Sequence, residues 1–519
     1  MNATGTSLIN LDIENQLITG TIDGAAPLLD GDGIGIRRAD SALVLADINS
    51  VTSTGNAGDG LDVETQGNNR NDPNQPLSGT INTINVANSD FSTNDDNGIR
   101  FQTRGDSQLL ANGDGNVTSN NGLNGIFIQT TETSEFGESV LGIPSVFNGT
   151  TSTGNAIDGL SLLAQDNTRA LVEITSNQSA GSSAVHAAVS TAGNSGFSDN
   201  GRDGIRIVTQ DTSISDVLIT AGTALTQLNN NGTNGGGNGL RIDASDLSQS
   251  DVVIELAEIS GNIAGATESA ATAGNGVLDP GEDINGNGIL DTILTDAAGT
   301  PGIGGEDGTN DDLDTADGDG IQFNVFNQAV TSLTVGGAGR GNVIQNNGDD
   351  GIAITATGGD ILLPNPTPVF APPNSNMSPD DIILLDQDVS RPVISIVDNV
   401  IGGELDGIPA GNAGDGVSVN VLGGTLGAEF IGAAPGTDAV GALVSVSDGV
   451  TQSGPTLDFT LDNNVVSNNG RRGVNLLLTG AAGERDRENG NNTFDPGVFN
   501  LTNNTVISNG TEGLSLIHI

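Results

Sequence analysis

Hydrophobic and polar positions along the chain are organised by a short recurring unit, Asp/Asn-Gly-apolar-x-apolar. Its glycines stand at positions 33, 60, 98, 125, 159, 204, 239, 320, 351 and 416, and in weaker form at 473 and 513. The residues one and three after each glycine are apolar, as in Leu160 and Leu162, Ile205 and Ile207, or Val417 and Val419, and the residue between them is usually polar or small, as in Ser161, Arg206 and Ser418. A period of two is that of a strand with one buried face, so each unit predicts a strand just after its glycine. Upstream of the glycine lies turn-rich sequence, such as SNNGLNGI at 119–126 and SDNGRDGI at 198–205. Asn, Asp and Gly adopt left-handed backbone conformations at low cost, which predicts a sharp corner there. A further short strand precedes the corner, best seen in NNVVSNNG at 463–470 and NNTVISNG at 503–510.

Strand, asparagine-rich corner, glycine and strand, repeated, describe one coil of a solenoid. The interval between glycines ranges from 27 residues (Gly33 to Gly60) to 81 (Gly239 to Gly320), so surplus residues are expected to leave as loops, and the larger gaps to hide a coil with a degraded motif. Parallel strands of successive coils would pair edge to edge, with equivalent corner asparagines bonded along the axis. Composition agrees with this reading. Hydrophobic residues make up 35%, mainly small and branched, aromatics only 3%, all Phe, and there are 77 Gly, which together oppose long helices. The expected class is all-β, with β-helix coils over 1–264, an acidic excursion over 265–318, and coils over 319–519 interrupted by loops near 362–381 and 483–497. Both ends read as truncated: the start lacks a signal-peptide pattern and the end, LSLIHI, leaves the repeat.

Carried by N-N-G-x-D-G-I-x-I, most of the chain resembles the right-handed parallel β-helix repeats of large bacterial surface and secreted proteins. That resemblance implies an extracellular or cell-surface location and a structural or adhesive role, with surface polysaccharide or other cell-surface proteins as partners. The same scaffold also carries polysaccharide lyases and hydrolases, so a fragment of a carbohydrate-active enzyme is the competing expectation.

The longest interval holds the one motif with metal chemistry. Asp283, Asn285, Asn287 and Asp291 have the oxygen spacing of an EF-hand-like loop, Gly288 permits its turn, and Ile289 would offer a backbone carbonyl. Leu294 stands where the bidentate acid of such a loop is expected, and Asn275, Asp279 and Glu282 just upstream would complete the shell. The segment resembles dockerin-like and thrombospondin-type-3-like calcium repeats, and calcium is the expected ion.

Charge narrows the partners further. With 15 basic residues, all Arg, against 65 acids, the net charge of −50 disfavours nucleic acid and anionic lipid and favours divalent counter-ions. No apolar run is long enough to span a membrane. Without Cys, disulfide and thiolate chemistry are excluded. Of the two histidines, His186 sits among apolar neighbours and His518 in the divergent terminus. With Trp and Tyr absent there is no stacking platform for sugars, and no catalytic residue is assigned. Arg206 and Arg241 take the same outward position in successive units and are expected to pair with neighbouring Asp on a solvated face.

Overall fold

The computed structural model describes residues 2–3, 8–21, 31–39, 42–67, 81–138, 142–176, 195–222, 225–264, 318–326, 329–357, 391–405, 408–422, 458–479, 484–485, 494–495 and 499–518. Every regular element among them is a strand. The first sheet has 13 strands in chain order from Asn2–Ala3 to Leu514–His518. Twelve of these start on the residue directly after a motif glycine, from Ile34 after Gly33 to Leu514 after Gly513. A second sheet, also of 13 strands, runs from Leu8–Glu14 to Phe499–Thr502. The third starts with Leu17–Thr19 on Thr52–Thr54, passes through single bridges at Asp90 and Val117 to Thr151–Thr153, and continues to Thr505–Ile507. All pairings along these three sheets are parallel, so the chain is an all-β parallel β-helix with three strands to a coil. Right-handed crossovers are the rule for such connections.

No further coil stands in the stack across the long intervals. Leu240 pairs directly with Ile321, Ile352 with Val417, and Val417 with Val474, so the coils on either side of each interval are neighbours. Between sheets one and two lie 68–80, 358–390 and 423–457, and between sheets three and one lie 22–30 and 265–317, all outside the described residues.

Stacking in register makes one continuous interior. Ile126, Leu160, Ile205, Leu240, Ile321 and Ile352 form one inward row, each 1% exposed or less, and Val217, Val252, Leu333 and Ile394 form another on the second sheet. Each such side chain contributes about 1.5–3 kcal/mol when buried, set against the entropy of ordering the coil.

Two polar columns fix the corner between sheets three and one. In the first, Asn56, Asn94, Asn121, Asn155, Asn200, Asn231, Asn262, Asn347, Asn412, Asn469 and Asn509 are bonded one to the next, Nδ2 to Oδ1, at 2.8–3.2 Å. The Oδ1 also accepts the backbone N–H of the preceding asparagine, and the second Nδ2 proton reaches a backbone carbonyl such as Phe197 O or Leu228 O. A buried primary amide is thus fully satisfied, and the expected stacking of corner asparagines is observed. The second column, usually three residues further on, is Asp32, Asp59, Asn97, Asn124, Asp158, Asp203, Asn238, Asp319, Asp350 and Asp415. Here the side chain of one coil accepts the N–H of the next, as Asp59 accepts from Asn97 at 2.8 Å and Asp158 from Asp203 at 3.1 Å.

The expected left-handed corner lies upstream of the motif glycines, which themselves serve a different purpose. None of them has a positive φ; the left-handed residues of the corner include Thr93, Asn120, Asp199, Asn230, Asn346, Asn468 and Ser508, each just before a column asparagine. A Cβ on Gly159 would lie 2.5 Å from Gly204 O and 2.8 Å from Asn200 Nδ2, and one on Gly204 2.6 Å from Gly239 O. Glycine is required because the next coil's backbone approaches there.

Candidate functional site

The residues expected to bind calcium, Asp279, Glu282, Asp283, Asn285, Asn287, Ile289 and Asp291, lie outside the described residues, as does His186. The roots of their excursion are described. In most coils the two columns are three residues apart, as Asn200 and Asp203 or Asn412 and Asp415. Residues 265–317 fall between Asn262 and Asp319, yet both keep their places: Asn262 Nδ2 donates to Asn347 Oδ1 at 2.8 Å and Asp319 N–H donates to Asn238 Oδ1 at 2.9 Å. A Cβ on Gly318 would fall 2.3 Å from Ala264 N, so the two ends of the excursion touch. The segment leaves and rejoins at a single point of a closed corner.

A cluster of buried charge spans the outer face of the first sheet and the corner just before it. Arg202 grips Asp158 through two bonds, Nε to Oδ1 at 3.0 Å and a terminal nitrogen to Oδ2 at 2.8 Å. Burial pushes the Asp158 carboxyl up, but Arg202 outweighs it and holds the group below the usual carboxylate range. Asp203 beside it goes the other way, to about 6, because it is buried and next to Asp158. Arg241 Nε donates to Asp243 Oδ2 at 2.8 Å, while Arg206 reaches the same oxygen only at 3.7 Å and its Nε makes no hydrogen bond. Burial, followed by repulsion from Arg202 and Arg241, lowers the Arg206 pKa. Arg206 and Arg241 do pair with an Asp as expected, but not on a solvated face: they are 7% and 8% exposed.

Two further groups share this logic. Arg100 stands 3.8 Å from both Asp59 and Asp62, and burial raises Asp59 to about 7 and Asp62 to about 6. Asp319, Asp350 and Asp415 are successive acids of the second column; burial, then Asp349 and Asp415, push Asp350 to about 7, with Arg471 opposing.

Chemically, the second-column carboxylates are acceptors for corner N–H groups, a task that holds their geometry, whereas Asp243 accepts from the side chains of Arg241 and Asn324. Among the described residues no group of three or more His, Asp or Glu is arranged to hold a metal ion. No helix there is long and apolar enough to cross a membrane. Sequence reasoning missed the second column, whose signal is the Asn-x-x-Asp/Asn-Gly spacing at 56–60, 155–159, 200–204 and 412–416. Comparison with known proteins finds no matching family, curated protein or solved structure.

Proposed function

We propose that the chain is a stretch of an extracellular or cell-surface β-helix that acts as a non-catalytic scaffold and presents acidic, calcium-binding excursions from a rigid stem. The observation that carries this reading is the pinned corner at Ala264 and Gly318: both columns pass it unbroken, so a long acidic segment hangs from the stem without interrupting it. Its EF-hand-like spacing, Asp283, Asn285, Asn287 and Asp291 with the carbonyl of Ile289, supplies hard oxygen ligands, and Asp279 and Glu282 add charge beside them. A net charge of −50 gives divalent cations a strong general attraction to the whole surface. The carboxylates of the second column support a scaffold over an enzyme, because Asp59, Asp158, Asp203, Asp350 and Asp415 are each already engaged by a backbone N–H of the following coil.

Calcium titration by calorimetry, on the wild type and on a double variant carrying Asp283→Ala and Asp291→Ala, tests the assignment. A high-affinity phase present in the first and missing in the second is expected; equal binding by both overturns it. A second reading, a carbohydrate-binding or carbohydrate-cleaving surface, rests on the convergence of Arg202, Arg206, Arg241, Asp158 and Asp203 on one face. Binding of an acidic polysaccharide that is lost in Arg206→Ala, with the fold intact, would favour it over the scaffold.

A further inference from the structure

Asparagine followed by glycine is the dipeptide most open to attack on the side-chain carbonyl carbon by the next backbone nitrogen, because glycine has no side chain to shield that nitrogen. The reaction needs an amide free to turn over its own backbone, a glycine N–H free to lose its proton, and an Nδ2 free to leave. This chain is rich in the dipeptide, and the columns deny all three conditions to most copies. Asn121, Asn200, Asn347 and Asn469 are held at both Oδ1 and Nδ2, and the glycines after them donate to carbonyls at 2.7–2.8 Å: Gly122 to Asn94, Gly201 to Asn155, Gly348 to Asn262 and Gly470 to Asn412.

Asn234 differs from these on every count. It lies in an expanded corner, 232–237, between the column residues Asn231 and Asn238, and among the described residues it is the only asparagine of an Asn-Gly pair that is exposed. A single bond holds its side chain, Nδ2 to Ala156 O at 2.9 Å. The Gly235 N–H is weakly engaged, 3.3 Å from Gly232 O, and Gly235 and Gly236 have φ of 137° and 127° with open space around Gly235.

We propose that Asn234 is a site of spontaneous deamidation, and that the asparagine columns protect the pairs that lie within them. The Gly235 nitrogen gives its proton to solvent base and bonds to Asn234 Cγ; the Cγ–Nδ2 bond breaks and Nδ2 departs as ammonia after taking up a proton. Water then opens the five-membered imide at either carbonyl, leaving Asp or isoaspartate, with one water consumed for each ammonia released. The product replaces a donor to Ala156 O by a carboxylate that this carbonyl repels, so the expanded corner loosens while both columns stay in place.

Incubation of the folded full chain at mildly alkaline pH, followed by peptide mapping with isoaspartate detection, reads the outcome. Among these described pairs Asn234 is expected to convert first, with Asn121, Asn200, Asn231, Asn347 and Asn469 slower by at least about a hundredfold, because they react only from locally opened coils. In denaturant the difference should vanish, and Asn234→Gln should remove the first-converting peptide. Equal rates at Asn234 and the column asparagines in the folded protein would overturn the proposal, as would an unreacted Asn234 in folded chain whose denatured form reacts.

Discussion

Two columns climb the same corner three residues apart, and they differ in what their side chains can do. The asparagine column is self-sufficient, since each amide donates and accepts and neighbours satisfy one another without charge. The second column needs only acceptors, so Asp and Asn alternate in it, and wherever Asp occurs a buried carboxylate must be stabilised by an arginine or a proton. Arg202 does this for Asp158, whereas Asp59, Asp203 and Asp350 drift upward to about 7, 6 and 7. The lesson is that a repeat can carry one column that is indifferent to pH beside another that is sensitive to it.

The contrast can be broken most severely at the glycine both columns depend on. Gly159→Val places atoms against Gly204 O and Asn200 Nδ2 and should cost about 3 kcal/mol or more, read as lost hydrogen-exchange protection in Leu160–Ala164 and Ile205–Thr209. Wild-type protection in that variant would refute the close-approach reading. Next comes Asn231→Asp, which turns a donor toward Asn262 Oδ1 and Phe197 O into a buried charge. A loss of about 3 kcal/mol at pH 8 is expected in denaturant unfolding, and a change below about 0.5 kcal/mol would remove the self-sufficiency argument.

The second column should respond with opposite sign. Carboxylates raised in the folded state bind more protons there than in the unfolded chain between about pH 4 and pH 7, so stability falls as pH rises through that window. Asp350→Asn keeps the acceptor for Asp415 N–H, as Asn97, Asn124 and Asn238 do elsewhere in the column, and removes the charge. It should therefore stabilise by about 1–2 kcal/mol at pH 8 and by little near pH 5, measured as melting temperature against pH. The smallest effect is expected from replacing 265–317 by a short linker between Ala264 and Gly318: within about 0.5 kcal/mol of wild type, since no column residue is lost.

Much of the fold was legible because the strand signal is local. A glycine with apolar residues one and three places after it marks the start of twelve first-sheet strands, and the repeated corner asparagine announced its column. Other features depend on neighbours that sequence spacing does not reveal. Third-sheet strands such as Thr52–Thr54 and Thr151–Thr153 are three residues of Ser and Thr, too short and too polar for periodicity to register. The close approach that requires the motif glycines was not legible, because that constraint is imposed by the following coil. Arg206 could be assigned to the outer face, but its burial reflects what packs over that face. The calcium motif was found by spacing alone and falls outside the described residues, so only the pinning of its roots is structural.

The two columns also point in opposite directions along the axis: asparagine N–H groups reach forward to the next coil, while the N–H groups of the second column reach back. Coils that carry both columns therefore offer the same kind of backbone donor and side-chain acceptor to the coil above as they receive from the one below. Duplication of a coil within the gene would create junctions indistinguishable from existing ones, and its loss would close without a mismatch. The corner chemistry thus sets no particular number of coils, and rests on the handful of side chains that join one turn to the next.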